Sequence, residues 1–179
     1  MANQDYDNRI YTEVINNGYS TDLANLLVSQ ANYETGGYSN NAFILGNNAY
    51  GYKYVKGSIF QLSDEGNISS EGNAYAKYAT IEDSVDEVLA WLERRQKEGK
   101  FVIADLHTGD DYAAALKSGD YYGQTSTEYA KGLDYYLKVT QGSILNFVHE
   151  NTNLLLTGGI GLVLISASAY LFYKFKKKI

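Results

Sequence analysis

The chain has 179 residues, a formal net charge of −6, no cysteine, no proline and two histidines. That composition excludes a disulfide framework and a thiolate metal site, leaves only His107 and His149 for a histidine zinc centre, which argues against one, and gives room for one soluble domain of about 150 residues with an appendage. Four of the 15 basic residues, Lys174, Lys176, Lys177 and Lys178, lie in the last six positions, so residues 1–173 carry 11 basic against 21 acidic side chains. This balance argues against nucleic acid as a partner, and any hold on an anionic polymer has to come from a shaped groove rather than bulk charge.

The N-terminal residues are polar and acidic, with neither the basic nor the apolar stretch of a signal peptide. From about Asp5 to Asn17, Ile10, Tyr11 and Val14 mark a helix. Ser20, Thr21 and Asp22 are all suitable caps for a second helix, which carries Leu23, Leu26, Leu27 and Ala31 at helical spacing and ends on Glu34 before the pair Gly36-Gly37. Leu27, Ala31 and Glu34 share one side of that helix, which sets the carboxylate at the edge of the buried face. Desolvation and the negative end of the helix dipole then both raise its pKa, which suits a general acid. An isolated glutamate at a helix end is more often simply solvated, so its role depends on what accompanies it.

A loop rich in Asn, Gly and Tyr follows, through Asn48-Ala-Tyr50-Gly51-Tyr-Lys53, and its glycines read as turns of closely approaching backbone. The two blocks Gln30-Ala31-x-x-Glu34-Thr35-Gly36 and Asn48-Ala-Tyr50-Gly51-Tyr-Lys53 resemble, in order and spacing, the signature blocks of glucosaminidase-type peptidoglycan hydrolases, a family of the lysozyme-like superfamily. The resemblance implies a mainly α, lysozyme-like (α+β) fold with a small β-hairpin lobe over the cleft. It also implies Glu34 as catalytic acid, with Gln30, Asn48, Tyr50, Gly51 and Lys53 in the substrate-binding blocks, peptidoglycan glycan strands as the partner, and no cofactor.

Residues 54–79 are β-prone and glycine-punctuated and should form that lobe, with Tyr54-Val55 and Ile59-Phe60 on one side and Tyr75 and Tyr78 on the other. The family often places a second carboxylate there; Glu65, and after it Asp64, is the candidate, although acidic residues decorating a hairpin tip account for both equally well. Thr80 to Asp83 opens a core helix as a Thr-x-x-Asp variant of the capping box, with Val85, Val88, Leu89 and Leu92 on its apolar face and Gly99 as its stop. Trp91 reads as packing rather than a sugar platform. Asp110 to Lys117 forms a short helix closed by Gly119. Thr125 to Glu128 is a capping box, and the following Tyr129-Ala130-Lys131 matches the family's Tyr-Ala-x-Lys element, whose tyrosine faces the cleft. The resemblance covers roughly residues 20–140 and departs from the pattern at Gly132 and in the trimmed lobe.

Residues 1–150 are thus expected to be the glucosaminidase-like domain, 151–173 a transmembrane helix and 174–179 a basic tail. No residue from Asn151 to Tyr173 is charged, and about 20 helical residues match a bilayer core. The terminal lysines put the tail on the cytoplasmic-type side and the enzyme domain on the other, in a cell envelope or a virion membrane. Gly158, Gly159 and Gly161 would permit close helix packing in a homo-oligomer. A phage virion or lysis protein and an exported bacterial autolysin both fit this arrangement. Three activities remain open: a glucosaminidase, a muramidase or lytic transglycosylase on the same scaffold, and a non-catalytic wall-binding protein.

Overall fold

In the computed structural model the chain divides into two compact units, Met1–Gly142 and Ser143–Ile179. The structure describes residues 2–68, 72–123 and 125–140, with the side chains of residues 2 and 64–68 left out; all lie in the first unit. The expected transmembrane helix and basic tail lie outside the described residues. Among the described residues no helix is long and apolar enough to cross a membrane.

The first unit is mainly helical, with six α-helices among the described residues: α1 (Ala2–Asn16), α2 (Thr21–Thr35), α3 (Asn41–Gly46), α4 (Ile81–Lys97), α5 (Gly109–Ser118) and α6 (residues 126–140). A two-stranded antiparallel sheet, β1 (Ser63–Ile68) and β2 (Ala74–Lys77), lies between α3 and α4 in the chain. Helix α2 is the central element. Two-thirds of its fifteen residues are buried, including polar Ser29, Gln30 and Asn32, and a helix buried this far round belongs in the middle of a domain. It begins where Ser20 accepts the Leu23 N–H at 3.2 Å. It ends in a Schellman motif: Gly36 takes φ +61, Gly37 N–H reaches the Asn32 carbonyl at 2.8 Å, and Gly36 N–H turns toward the Tyr33 carbonyl at 3.4 Å.

Helix α1 packs on α2 and α4. Ile10 and Val14 enter the core beside Leu23, Leu26 and Leu27, and α4 adds Val85, Val88, Leu89 and Leu92, the face its periodicity indicated. The Thr80 capping box of α4 forms as expected, with Asp83 returning the bond to the Thr80 N–H at 3.0 Å. A buried polar knot also ties α1 to the end of α2: Asp7 accepts from Asn32 Nδ2 at 2.7 Å and from the Tyr38 hydroxyl at 2.6 Å.

Two expectations change. The loop after Gly37 contains α3, capped by Asn40, whose side chain accepts the Phe43 N–H at 3.0 Å. Of Tyr54-Val55 and Ile59-Phe60, only Tyr54 pairs with β2: β1 starts at Ser63, and residues 55–60 form a loop in which Ile59 is 90% exposed. The apolar residues of that loop have no facing layer to bury them, so β propensity has nothing to act on. Asp64 and Glu65 therefore lie within a strand rather than at a tip, with Asp64 opposite Ala76 across the ladder.

Candidate functional site

The geometry of α2 brings Glu34 to the edge of the core. Leu27 and Ala31 beneath it are fully buried, while Glu34 keeps one side open to solvent. The Tyr129 hydroxyl, projecting from α6, donates to Glu34 Oε1 at 2.5 Å. The other oxygen, Oε2, lies beside Gly51, where even a methyl group would sit only 3.7 Å away. Burial raises the Glu34 pKa, against the Tyr129 hydrogen bond and the Lys53 charge, both of which favour the ionised form. The side chain keeps a solvent-facing edge, yet its carboxyl is surrounded closely enough by protein for desolvation to prevail. Tyr129 remains a donor because burial and the neighbouring carboxylate raise its own pKa well above the usual phenol value.

Helix α6 comes close to α2 because both helices are small where they meet. Ser29 Oγ donates to the Leu133 carbonyl at 2.5 Å. Gly132 faces the Tyr33 ring so closely that an added Cβ would lie 2.3 Å from Cε2. This explains why a glycine interrupts α6: the ring occupies the space of a side chain. Tyr33 and Tyr129 pack edge to face at 5.1 Å, and Tyr122 stacks on Tyr129 at 4.1 Å and 7°. The phenol that touches Glu34 thus packs against two other rings.

The second sequence block is brought to Glu34 by the sheet. Asn48 is fully buried; its amide donates to the Tyr52 carbonyl at 2.8 Å and the Ala76 carbonyl at 3.1 Å, and its Oδ1 accepts the Tyr52 N–H at 3.0 Å. Residues 52–54 run along the free edge of β2, with Ala76 N–H bonded to the Tyr52 carbonyl and Tyr54 N–H to the Ala74 carbonyl. Gly51 turns at φ +66. Lys53 leaves that edge with its ammonium 3.6 Å over the Tyr75 ring.

A cleft of about 430 Å³ opens beside Glu34, lined by Tyr50, Gly51, Tyr52, Lys53, Val55, Trp91, Asp120, Tyr121 and Tyr122. A second cleft of about 510 Å³, lined in part by Ile59, Phe60, Glu87 and Arg94, shares Tyr52, Val55 and Trp91 with the first. The two clefts therefore lie side by side. Trp91 is nearly buried, edge-on to Tyr121 at 5.3 Å, so packing is its main role.

Of the residues singled out from sequence, Glu34, Tyr50, Gly51 and Lys53 line the cleft and Tyr129 touches Glu34. Gln30 and Asn48 stand behind it: both are fully buried, and Gln30 Oε1 accepts the Tyr112 hydroxyl at 2.6 Å. They position the two blocks from within the core. The side chains of Asp64 and Glu65 lie outside the described residues. Sequence reasoning gave no role to Asp120, Tyr121 and Tyr122, although the run Gly119-Asp-Tyr-Tyr-Gly123 marks a turn between two helices. Nor did it find the Glu87 carboxylate, which accepts from Gln61 Nε2 at 2.9 and 3.0 Å and from the Tyr78 hydroxyl. Among the described residues no three His, Asp or Glu side chains gather as a metal site.

Compared with protein-family models, curated proteins and solved structures, the chain matches none.

Proposed function

We propose that this chain is a peptidoglycan hydrolase of lysozyme-like architecture that cleaves β-1,4 bonds of glycan strands, of the endo-N-acetylglucosaminidase type, with Glu34 as general acid. The observation that carries the reading is the state of Glu34: a carboxyl with a raised pKa, opening into a cleft walled by tyrosine rings. Hydrolysis of a glycoside needs a proton on the departing oxygen as positive charge develops on the sugar ring. Tyr129 donates to Oε1, which leaves Oε2, the oxygen beside Gly51, as the one from which Glu34 in its acid form would deliver a proton. A glycine at that position keeps the approach clear of a side chain. Tyrosines among the lining residues suit contacts with flat pyranose rings, and a second cleft alongside the first gives room for further sugars of a strand.

The apolar stretch of residues 154–173 followed by lysines supports a membrane anchor with the enzyme domain on the non-cytoplasmic side, as suits wall cleavage in phage entry or lysis. The deciding experiment uses the full-length chain in mild detergent on purified peptidoglycan, beside Glu34→Gln. Fragments ending in reducing N-acetylglucosamine are expected. Their release should fall about 10²–10⁴-fold in the variant, the range removed with a general acid. Reducing N-acetylmuramic acid would identify a muramidase instead, and anhydro-muramyl ends a lytic transglycosylase. A folded wild-type chain that binds the wall but releases nothing would make it a binding protein.

A further inference from the structure

Helix α5 ends in a full Schellman motif: the Tyr121 N–H bonds the Leu116 carbonyl at 2.9 Å and the Asp120 N–H bonds the Lys117 carbonyl at 3.2 Å. The left-handed position of that motif normally takes glycine. Here it is held by Asp120 at φ +60, while the glycine stands one residue earlier. Gly119 has a separate reason to be glycine, since a Cβ there would lie 2.6 Å from the Trp91 ring. Aspartate is one of the few non-glycine residues that accept a left-handed backbone, though at a cost that glycine would not incur.

What this placement achieves is a carboxylate in the cleft. Among the described residues, Glu34 and Asp120 are the two carboxylates that line it. Asp120 is exposed, and no described side chain pairs with it. Glu87, in the neighbouring cleft, is by contrast engaged by Gln61 and Tyr78. We propose that Asp120 is the second carboxylate of the reaction, the base that activates the attacking water.

This inference rests on the hydrolase reading above. In the step, Asp120 takes a proton from water as the water oxygen bonds to the anomeric carbon. The bond from that carbon to the bridging oxygen breaks with its electron pair on the oxygen, which receives the proton of Glu34. The reaction ends with Asp120 protonated and Glu34 ionised, and one proton passing from Asp120 to solvent and one from solvent to Glu34 restores both. Attack from the face opposite the leaving oxygen inverts the anomeric centre.

The test compares full-length wild type, Asp120→Asn, Asp120→Gly and Glu34→Gln on soluble glycan strands, with thermal melting of each. Glycine suits the left-handed position, so Asp120→Gly should melt at or above the wild-type temperature while its kcat falls about 100-fold or more. Asp120→Asn, which keeps the shape and tolerates the same backbone, should lose activity alongside it with KM little changed. Sodium azide should restore turnover to Asp120→Gly alone, with α-glycosyl azide ends in the mass spectrum. Wild-type release with an unimpaired Asp120→Asn, a rise in KM at constant kcat, or retained anomeric configuration would each overturn the role of Asp120 and leave Glu34 in place. A wild type that releases nothing would overturn the hydrolase reading and this inference with it.

Discussion

At Glu34 burial and two neighbours act in opposite directions, and each can be removed separately. Tyr129 and Lys53 both favour the ionised form, so Tyr129→Phe and Lys53→Met should each raise the Glu34 pKa further above its ordinary 4.5. A general acid loses activity as pH rises through its pKa. The alkaline limb of kcat/KM against pH should therefore move to higher pH in both variants, and an unmoved or acid-shifted limb would count against Glu34 as the proton donor. Neither Tyr129 nor Lys53 is a neighbour of Glu34 in sequence, which is why these opposing effects could not be weighed from the chain alone. Desolvation was legible in the helical spacing of Leu27, Ala31 and Glu34; that Tyr129 faces the cleft was expected only through the family resemblance, and its hydrogen bond to Glu34 was not foreseen.

Among the elements, the contact of α2 with α6 fixes the site, and Gly132 permits it. In an exposed helix, replacing glycine by alanine gains roughly 1 kcal/mol. Here the new methyl would meet the Tyr33 ring at 2.3–2.8 Å, and Tyr33 is braced against Tyr129. Gly132→Ala should thus destabilise the protein by about 1–3 kcal/mol, the usual effect of overpacking, and displace Tyr129 from Glu34. Denaturant unfolding and turnover should decline together; a more stable variant would mean that the ring gives way freely. The Thr80 cap could be read directly from sequence and Ser20 was one of three candidates, because a cap is a bond between residues three apart; the Thr108 cap has the same spacing to Asp111 but was not singled out. The lobe could not be read in this way: whether Val55 to Phe60 becomes a strand depends on a facing layer that only the folded chain supplies or withholds.

Over the whole molecule, burial gives the protein a pH dependence. Asp7, Glu13 and Glu34 all have raised pKa values, with desolvation as the largest cause in each. For a raised group the stability is fully present below the unfolded value, near 3.8 for Asp7 and 4.5 for the glutamates, and is lost as pH rises through the folded value. The net charge of −6 adds self-repulsion in the same direction. Opposing shifts at Glu98 and Asp111 are surface effects and count for little, while Glu82, lowered against its own desolvation by its pair with Arg9, offsets part of the trend. The melting temperature should be a few degrees higher at pH 5 than at pH 8, and the difference should narrow in Asp7→Asn and Glu34→Gln. The proposed anchor gives a separate expectation: the full chain should float with lipid vesicles in high salt, whereas a chain lacking residues 151–179 should remain in the aqueous fraction.

The sequence by itself determined the local matters: helix faces from apolar spacing, caps and stops from residues three or four apart, a carboxylate at the end of α2, and two blocks in fixed order. Each depends on physics acting within a few residues. The tertiary structure alone decided that Gln30 and Asn48 support the cleft from behind, that Gly132 yields its space to Tyr33, and that Asp120 and Tyr122 share the site with Glu34. These placements depend on how helices distant in the chain pack together, and on the water that packing removes from a carboxyl group.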